Sequence, residues 1–271
     1  LEVLIKQLTK GVVSRQVRCA LHCAQIDRTA RLKGVSLFDG ISVPDSHATI
    51  VGGADRAALA VEQGFDTVKM KMGRDIEADI KLVREVYAAF PELRLRFDFN
   101  GVLGEGQIVH FVNELGATIH EQVDFLEDPS SPDEDVWEEL RDVYGMKTAV
   151  DRGVKKASNG ELEFDYAVLK PAINHTDKLC DSARLNGRNV VVTSYMDHPV
   201  GQCYAAYMAG MLDAKYLGII NKRCGLMTHG LYEPTEFTER LGQKTPKWKS
   251  LRDETGLGFD DLLEDVDWAG L

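Results

Sequence analysis

The 271-residue sequence predicts an α/β protein built on a parallel sheet that closes into a (β/α) barrel. Two observations carry this prediction. Short β-rich runs alternate with helical stretches from residue 47 to about 220, and the number of these runs is eight. Strands that alternate with helices pair in parallel, and eight such strands are the number that closes a barrel.

The runs are four to six residues long and rich in β-branched and aromatic residues, which favour strands. Turn-forming or polar residues separate each run from the helix that follows it. The predicted strands are His47–Val51, Thr67–Met72, Leu93–Phe97, Val123–Leu126, Lys147–Val150, Tyr166–Leu169, Val190–Thr193 and Tyr216–Ile220.

Apolar residues between the runs recur at helical spacing, most clearly over 76–87, where charged residues occupy the opposite face. Weaker helical patterns cover Val109–Leu115, Trp137–Leu140, Leu179–Leu185 and Ala205–Leu212. The alternative architecture is a doubly wound open sheet, which usually has a Gly-rich phosphate loop after an early strand. The stretch Val51-Gly52-Gly53-Ala54 is too short for that loop, so the closed barrel is favoured.

Both ends of the chain fall outside this alternation. A helix is predicted over Val17–Leu32 near the start. Residues 230–271 are predicted to be loop-like, with Pro234, Pro246 and a polar run before Phe259–Val266. We expect the two ends to pack together beside the barrel. This organisation divides the chain into residues 1–46, 47–229 and 230–271.

Composition limits the partners of the protein. The 32 basic and 43 acidic residues give a net charge of −11, and such a chain repels phosphate backbones, so we expect no nucleic acid partner. No apolar run approaches the roughly 20 residues of a membrane helix, and no signal-peptide pattern is visible. The five cysteines form no Cys-x-x-Cys pair, which predicts free thiols and a reducing, cytoplasmic location.

Charged side chains stand at the ends of five consecutive predicted strands. In chain order these residues are Lys69 and Lys71, Asp98 followed by Asn100, Glu127, Asp151, and Lys170. Each step is about one β/α unit, and the active sites of barrels form where the strands end. The sequence therefore predicts that Lys, Asp, Glu, Asp and Lys side chains meet at one mouth.

This set of side chains has a chemical use. Three carboxylates suit a hard cation such as Mg²⁺, which prefers oxygen ligands and would relieve the repulsion between the carboxylates. Lysines that face a cation and each other have lowered pKa values, so one of them can act as a base. A carboxylate substrate on the metal would become more acidic at its α-carbon, because the cation stabilises the enediolate.

Each residue also has a purely structural interpretation. A single acidic residue at a strand end is commonly a turn former or a helix cap. Lys69 and Lys71 lie on one face of a strand and could form a solvated edge, and Lys170 could simply end a strand. Five charged ends in register, each after an apolar run, have no evident purpose in a structural barrel, so the catalytic interpretation is favoured.

These residues resemble the enolase superfamily in its muconate-lactonizing subgroup, in order and spacing, from residue 17 to about 230. The motifs that carry the resemblance are Lys69-Met-Lys71, Asp98-Phe-Asn100, Glu127-Asp-Pro129, Asp151 and Lys170-Pro171. Three further stretches are similar to the o-succinylbenzoate synthase family within that subgroup. They are Cys23–Leu37, Arg94–Asn100 and Thr193–Gly201.

The resemblance implies a (β/α)7β barrel with a reduced α+β capping domain formed from both termini. It also implies a metal ion, Mg²⁺ with Mn²⁺ as a substitute, on Asp98, Glu127 and Asp151. Little of the first half of the usual capping domain is recognisable. The third ligand lies in Asp151-Arg152-Gly153, where the subgroup usually has Asp-Glu-Ser, so the surroundings of that ligand differ from the family pattern.

The reaction that the resemblance implies is a syn-dehydration of a small cyclohexadiene carboxylate. Lys71 would be the base and then the general acid, and Lys170 would support the enediolate from the opposite face. Lys69, Asn100 and Ser194 would line the pocket or orient the substrate. The product would be 2-succinylbenzoate, an intermediate of menaquinone synthesis, made by a monomer or a homo-oligomer.

Two other readings stay open. An N-acylamino-acid racemase or a muconate cycloisomerase would use the same lysines and the same metal. A dipeptide epimerase usually carries Asp-x-Asp after its eighth strand, and Asn221–Gly225 shows none. A reading of another class is a barrel that binds a metal or a small acid without turnover.

Overall fold

The computed structural model describes residues 15–131, 135–231, 233–249, 251 and 253–267, and it has a mixed α/β fold with a curled parallel sheet. The strands are β1 (Asp45–Ser46), β2 (Ala48–Ile50), β3 (Thr67–Lys71), β4 (Arg94–Asp98), β5 (Val123–Glu127), β6 (Thr148–Val150), β7 (Tyr166–Leu169), β8 (Asn189–Val192) and β9 (Arg223–Cys224). The helices are α1 (Arg15–Leu32), α2 (Ala54–Glu62), α3 (Ile76–Ala89), α4 (Glu105–His120), α5 (Val136–Asp142), α6 (Val154–Ser158), α7 (Thr176–Leu185), α8 (Pro199–Lys215), α9 (Glu236–Leu241) and α10 (Asp260–Glu264). A short 3-10 helix covers His229–Leu231.

Strands β2 to β8 form one sheet in which each strand pairs in parallel with the next along the chain. The segment 219–225 links the two edges of this sheet. On one side, Val190 pairs with Ile220 and Thr193 with Gly225. On the other side, β9 pairs in parallel with β1, which leads directly towards β2. The sheet therefore curls until its first and last strands border the same segment.

Six of the predicted strands, those that became β3 to β8, are confirmed with ends shifted by at most one residue. The first predicted strand, His47–Val51, is interrupted at His47, because the chain changes partners there. β1 pairs with β9, whereas β2 pairs with β3. Val51 lies outside the strand and is exposed.

The eighth predicted strand, Tyr216–Ile220, is wrong. Tyr216 caps the end of α8, and the side chain of Leu217 is exposed to solvent. Gly218 has a φ of +81°, a conformation that a regular strand does not adopt. Pairing with β8 is limited to isolated bridges at Ile220 and Gly225. The strand of this segment is Arg223–Cys224, which pairs with β1 and has no apolar run.

Buried side chains form two clusters on the two faces of the sheet. The larger cluster joins the sheet to the helices. In α3, for example, Ile80, Val83 and Val86 are buried, and burying such an aliphatic side chain contributes roughly 1.5–3 kcal/mol. The smaller cluster lies inside the curl of the sheet and consists of Phe125, Ala149, Val168 and Val191.

A buried arginine completes the inside of the sheet. Arg96 on β4 is 1% exposed, and its guanidinium lies 4.8 Å from the centre of the Phe125 ring. It donates to Asp124 Oδ2 at 3.1 Å, to His47 Nδ1 at 2.8 Å and to Asn221 Oδ1 at 3.1 Å. Because arginine can only donate, His47 Nδ1 accepts here. Arg96 thus connects β4 to His47, between β1 and β2, and to Asn221 in the segment 219–225.

The two ends of the chain contact each other. Arg31 on α1 donates to Asp27 Oδ2 at 2.7 Å and to the carbonyl of Gly258 at 2.7 Å. The N–H of Leu37 donates to the carbonyl of Gly256 at 2.8 Å. The N-terminal helix is therefore held against the C-terminal segment, and the domain limits proposed from the sequence stay a prediction.

All five cysteines are free, as predicted. Three of them, Cys180, Cys203 and Cys224, are buried, and the other two lie partly exposed on α1. Among the described residues, no helix is long and apolar enough to cross a membrane.

Candidate active site

The charged residues predicted from the sequence lie at one end of the sheet. Lys71, Asp98 and Glu127 are the last residues of β3, β4 and β5, and they are paired in register across the ladder. Asp151 and Lys170 directly follow β6 and β7. Because parallel strands in register end at the same edge, these five side chains share one mouth.

Lys69 lies at the centre of the acidic group. Lys69 is 8% exposed, and its Nζ lies 2.8 Å from Asp98 Oδ2 and 2.6 Å from Glu127 Oε1. Lys69 and Lys71 lie two residues apart on β3 and so project to the same face. The position of Lys69 suits a fixed positive charge that balances two carboxylates.

The other two lysines each meet one carboxylate. Lys71 Nζ donates to Asp98 Oδ2, and Lys170 Nζ donates to Asp151 Oδ2. The side chain of Lys71 is 38% exposed, whereas that of Lys170 is 18% exposed and lies 5.7 Å from the centre of the Tyr195 ring. Both ammonium groups can therefore reach a ligand that enters the mouth.

Burial and neighbouring charges set the protonation of the acidic group. Burial acts to raise the pKa of Asp98, but the ammonium groups of Lys69 and Lys71 outweigh it and hold that pKa well below its usual range. Burial is also the largest effect on Glu127, and with the charges of Asp98 and Asp151 it raises the pKa to about 7, against the lowering effect of Lys69. Glu127 is thus a carboxyl group whose protonation changes near neutral pH.

The donor set fits a hard divalent cation. Asp98, Glu127 and Asp151 supply carboxylate oxygens from three consecutive strand ends, and the charges of the other two act on Glu127. Within the described part of the chain, no three acidic, His or Cys side chains stand at metal-binding distance. Lys69 is paired with Asp98 and Glu127, and Lys170 is paired with Asp151.

The structure places the two other predicted contacts differently. Ser194 is 4% exposed, lines the mouth and forms a hydrogen bond with Thr228 Oγ1 at 2.6 Å. Asn100 lies just beyond Asp98, with its N–H donating to Asp98 Oδ1 at 3.1 Å and its side-chain oxygen 3.4 Å from Arg152 Nη2. Ser194 therefore lines the cavity, whereas Asn100 contacts Asp98.

Asp128 is a site residue whose role the sequence does not reveal. It is 2% exposed and has a positive φ of 40°. Its two carboxylate oxygens accept the backbone N–H groups of Asp151 and Arg152, both at 3.0 Å. Asp128 therefore fixes the backbone that carries Asp151. The only signal in the sequence is its place directly after Glu127, where strand alternation points it away from the mouth.

Together these residues enclose a cavity of about 140 Å³ at the mouth. Its walls include Lys71 on one side and Asp151 and Lys170 on the other, with His47 and Ser194 between them. Glu127 lies behind Lys69 and not on the cavity wall. Small-molecule sites are usually about 300–1,000 Å³, so this cavity suits the reacting part of a ligand and not a whole ligand.

Comparison with known proteins agrees with this geometry. Residues 53–159 match a family model described as Enolase C-terminal domain-like. The chain is 30% identical to the o-succinylbenzoate synthase of Bdellovibrio bacteriovorus over 278 aligned positions, which cover 100% of this chain and 82% of that protein.

Solved structures show the same fold. A dipeptide epimerase from Enterococcus faecalis, complexed with Mg and the dipeptide L-Leu-L-Tyr, has a TM-score of 0.72 at 18% identity and covers 92% of this chain and 74% of its own. An N-succinyl Arg/Lys racemase from Bacillus cereus has a TM-score of 0.67 at 18% identity. The match covers 90% of this chain and 70% of the racemase. From the full-length relative, the family model and this shared fold, the chain belongs to the enolase superfamily, in its muconate-lactonizing subgroup.

Proposed function

We propose that this enzyme is a metal-dependent lyase of the o-succinylbenzoate synthase type. It removes the proton next to the carboxylate of a cyclohexadiene acid and eliminates water, which yields 2-succinylbenzoate for menaquinone synthesis. The observation that carries the proposal is the placement of Lys71 and Lys170 on opposite walls of one cavity, with acidic strand ends between them. The 30% identity to a synthase of this name supports the choice within the superfamily.

Asp98, Glu127 and Asp151 are the residues that would hold Mg²⁺, with Mn²⁺ as a substitute. The bound metal would supply positive charge that stabilises the negative oxygens of the substrate carboxylate as the α-proton leaves. The relative complexed with Mg supports this assignment. The ammonium groups of Lys69, Lys71 and Lys170 now neutralise the same carboxylates, which indicates that the acidic group requires positive charge.

The lysines divide the proton transfers. Lys71 Nζ accepts the α-proton of the substrate, and the same ammonium then returns a proton to the hydroxyl group that leaves as water, so both events occur on one face. Lys170, on the other wall, stabilises negative charge on the substrate without taking a proton. Lys69 orients Lys71 through their shared contact with Asp98, while Ser194 contacts the substrate and Asn100 acts through Asp98.

A second candidate is a racemase or epimerase, and the same two lysines favour it. A racemase needs one acid/base on each face of the α-carbon, and Lys71 and Lys170 are placed for that use as well. The structural likeness to a dipeptide epimerase and an N-succinyl Arg/Lys racemase is a reason to test it. A muconate cycloisomerase or a barrel that binds a metal or small acid without turnover is the remaining alternative.

The decisive experiment is turnover with the cyclohexadiene substrate, followed by loss of ultraviolet absorbance, beside an N-succinylamino acid followed by optical rotation. We expect rapid dehydration that stops when the metal is chelated and resumes when Mg²⁺ returns. Racemisation without dehydration would replace the proposal by the second candidate. If neither acid exchanges its α-proton into D₂O, the lyase and the racemase are both excluded, and the cycloisomerase and the non-catalytic barrel are left.

The proposed function goes with a proposed architecture. We propose that the curled sheet is a (β/α)7β barrel, that residues 47–229 form it, and that residues 1–46 and 230–271 form a reduced cap. The contacts between α1 and the C-terminal segment support this division. We further propose a cytoplasmic enzyme, monomeric or homo-oligomeric, whose partner is a small carboxylate and neither a nucleic acid nor a membrane.

A further inference from the structure

A second cavity continues the mouth on the side of Lys71. Its volume is about 390 Å³, and it shares Thr49, Lys71, Met196 and Leu231 with the catalytic cavity. The shared residues show that the two cavities adjoin, and together they reach the size expected for a whole small ligand. The second cavity can therefore hold the part of the ligand that does not react.

The charged groups on the wall of this second cavity are all positive. They are Lys71, Arg56 and Lys244, and no carboxylate lies among the residues that line it. The rest of the described lining is apolar or neutral, with Ile50 and Leu59 as examples. Lys71 is paired with Asp98, and Arg56 has only a weak contact with Asp55. No acidic side chain of the described residues faces this cavity, so its wall favours an anion.

Lys244 is the cation best placed to bind that anion. Its side chain is half-buried and crosses the backbone of Gly230, since a Cβ added there would lie 2.7 Å from Lys244 Cε. Within the described residues it makes no ion pair, although Arg56 is near enough for its charge, together with burial, to lower the pKa of Lys244. Arg56 itself has a weak contact with Asp55 at 3.8 Å and is 59% exposed.

The cavity on the opposite side of the mouth has the reverse character. It is about 940 Å³, and its one arginine, Arg31, already pairs with Asp27 and Asp260. Asp197 and Glu264 also line it. An anionic group would be repelled there, so the two sides differ enough to orient a ligand with two acid groups.

We propose that the cavity beside Lys71 binds a second acid group of the substrate, held by Lys244 and, more weakly, by Arg56. In the proposed substrate this group is the carboxylate of the succinyl side chain, which a short apolar linker separates from the reacting end. This inference rests on the proposed function for the identity of the reacting end. It adds that Lys244 and Arg56 bind the distal acid group, and that this group lies on the Lys71 side of the catalytic cavity.

The test compares two ligands that differ only at the distal end. They are 2-succinylbenzoate and the analogue in which the succinyl carboxylate is a primary amide, each titrated by calorimetry in the presence of Mg²⁺. Wild-type protein should bind the diacid more tightly than the amide. Lys244→Gln should weaken the diacid about tenfold, as expected for a charge-assisted contact, and Arg56→Gln only about threefold because that side chain is exposed.

Both variants should leave the affinity for the amide unchanged. Lys244→Arg should restore most of the preference for the diacid, because it keeps the charge. Lys249→Gln is the matched control, since it removes an exposed lysine from the same segment and should change neither ligand. Gly230→Ala should act like Lys244→Gln, because the added methyl group would displace the Lys244 side chain without removing its charge.

Equal binding of diacid and amide by wild-type protein, or an equal loss of both in Lys244→Gln, would overturn the inference. These outcomes are separate from the fate of the proposed function. If the protein dehydrates the cyclohexadiene acid but Lys244→Gln does not weaken binding of the diacid, the subsite proposal is wrong and the lyase proposal stands. A Lys244-dependent preference for diacids in a protein that fails to dehydrate the cyclohexadiene acid would remove the lyase and keep the subsite.

Discussion

The two walls of the mouth hold their charges in different ways. On the wall of β3 and β4, two ammonium groups, those of Lys69 and Lys71, converge on Asp98. On the wall of β6 and β7, Lys170 meets Asp151, whose backbone is fixed from behind by Asp128. The first wall opens to a cationic cavity, and the second faces a cavity with several carboxylates.

This difference bears on how the proton moves. Asp98 contacts two ammonium groups, so it would still have Lys69 as a cationic partner if Lys71 served as the base. Lys170 is the partner of Asp151, so its neutralisation would leave a poorly balanced carboxylate. The asymmetry favours chemistry on one face, as in a dehydration, over the symmetric two-base chemistry of a racemase.

The largest expected effect is the loss of Lys71. Lys71→Ala should lower kcat for dehydration by about 10⁴-fold, the upper range for a general acid–base group. It should also abolish exchange of the α-proton into D₂O, measured by mass spectrometry. Metal affinity should be nearly unchanged, because Lys69 still holds Asp98. Persistent exchange in this variant would assign the base to another residue.

Loss of Lys170 should be milder and should separate the two reactions. Lys170→Ala should lower dehydration about 10²-fold, since a stabilising charge is lost, but Lys71 should still exchange the α-proton from its own face. Substrate exchange and product formation are followed together in D₂O. If both disappear as completely as in Lys71→Ala, Lys170 is itself required for removal of the α-proton, and its assignment as a purely stabilising charge is wrong.

Asp128 tests whether the second wall depends on backbone positioning. Asp128→Asn leaves one acceptor oxygen for the two N–H groups of Asp151 and Arg152, so one of them loses its partner. We expect metal affinity to fall about tenfold or more, as for other groups that orient metal ligands, with little change in the KM of the substrate measured at saturating Mg²⁺. Calorimetric titration of Mg²⁺ measures the effect directly. Unchanged affinity would show that Asp151 needs no such support.

The sequence predicts the regular part of the fold well and the closing part poorly. Strands β3 to β8 carry apolar runs that the helices bury, so their pattern follows from the fold. β1 and β9 have two residues each, which is too few for any pattern. The apolar run at Tyr216–Ile220 wrongly predicted a strand. In the structure Leu217 is exposed, and Gly218 has a positive φ that turns the chain.

A similar limit applies to the candidate site. The strand-end charges are predictable because parallel strands bring successive ends together, as with Lys71 and Asp98. The choice of partner for each lysine is not predictable, since Lys69 contacts both Asp98 and Glu127 and the spacing along the chain does not indicate this. Arg56 and Lys244 are separated by most of the chain and meet only in the folded protein, so no spacing could join them.

Glu127 lies at the end of β5, between the two walls, and we expect it to make Mg²⁺ affinity depend on pH. Its pKa is raised to about 7, above the ordinary glutamate value, so the side chain is increasingly protonated below that pH, whereas the lowered pKa of Asp98 keeps that group ionised. Metal binding requires the carboxylate and must release this proton. Mg²⁺ affinity should therefore fall by up to tenfold per pH unit below about pH 7 and level off above it. Calorimetry between pH 5.5 and 8.5 checks this, and a flat profile contradicts it.

The smallest effect is expected at Arg152, and it separates backbone from side chain on the second wall. The backbone N–H of Arg152 donates to Asp128 at 3.0 Å, whereas its guanidinium is exposed and reaches Asn100 Oδ1 at a long 3.4 Å. Arg152→Gln keeps the first contact and loses only the second. We expect kcat/KM and Mg²⁺ affinity to change less than about threefold, since exposed contacts contribute little. A loss as large as that of Asp128→Asn would mean that the guanidinium, and not the backbone, holds Asp151 in place.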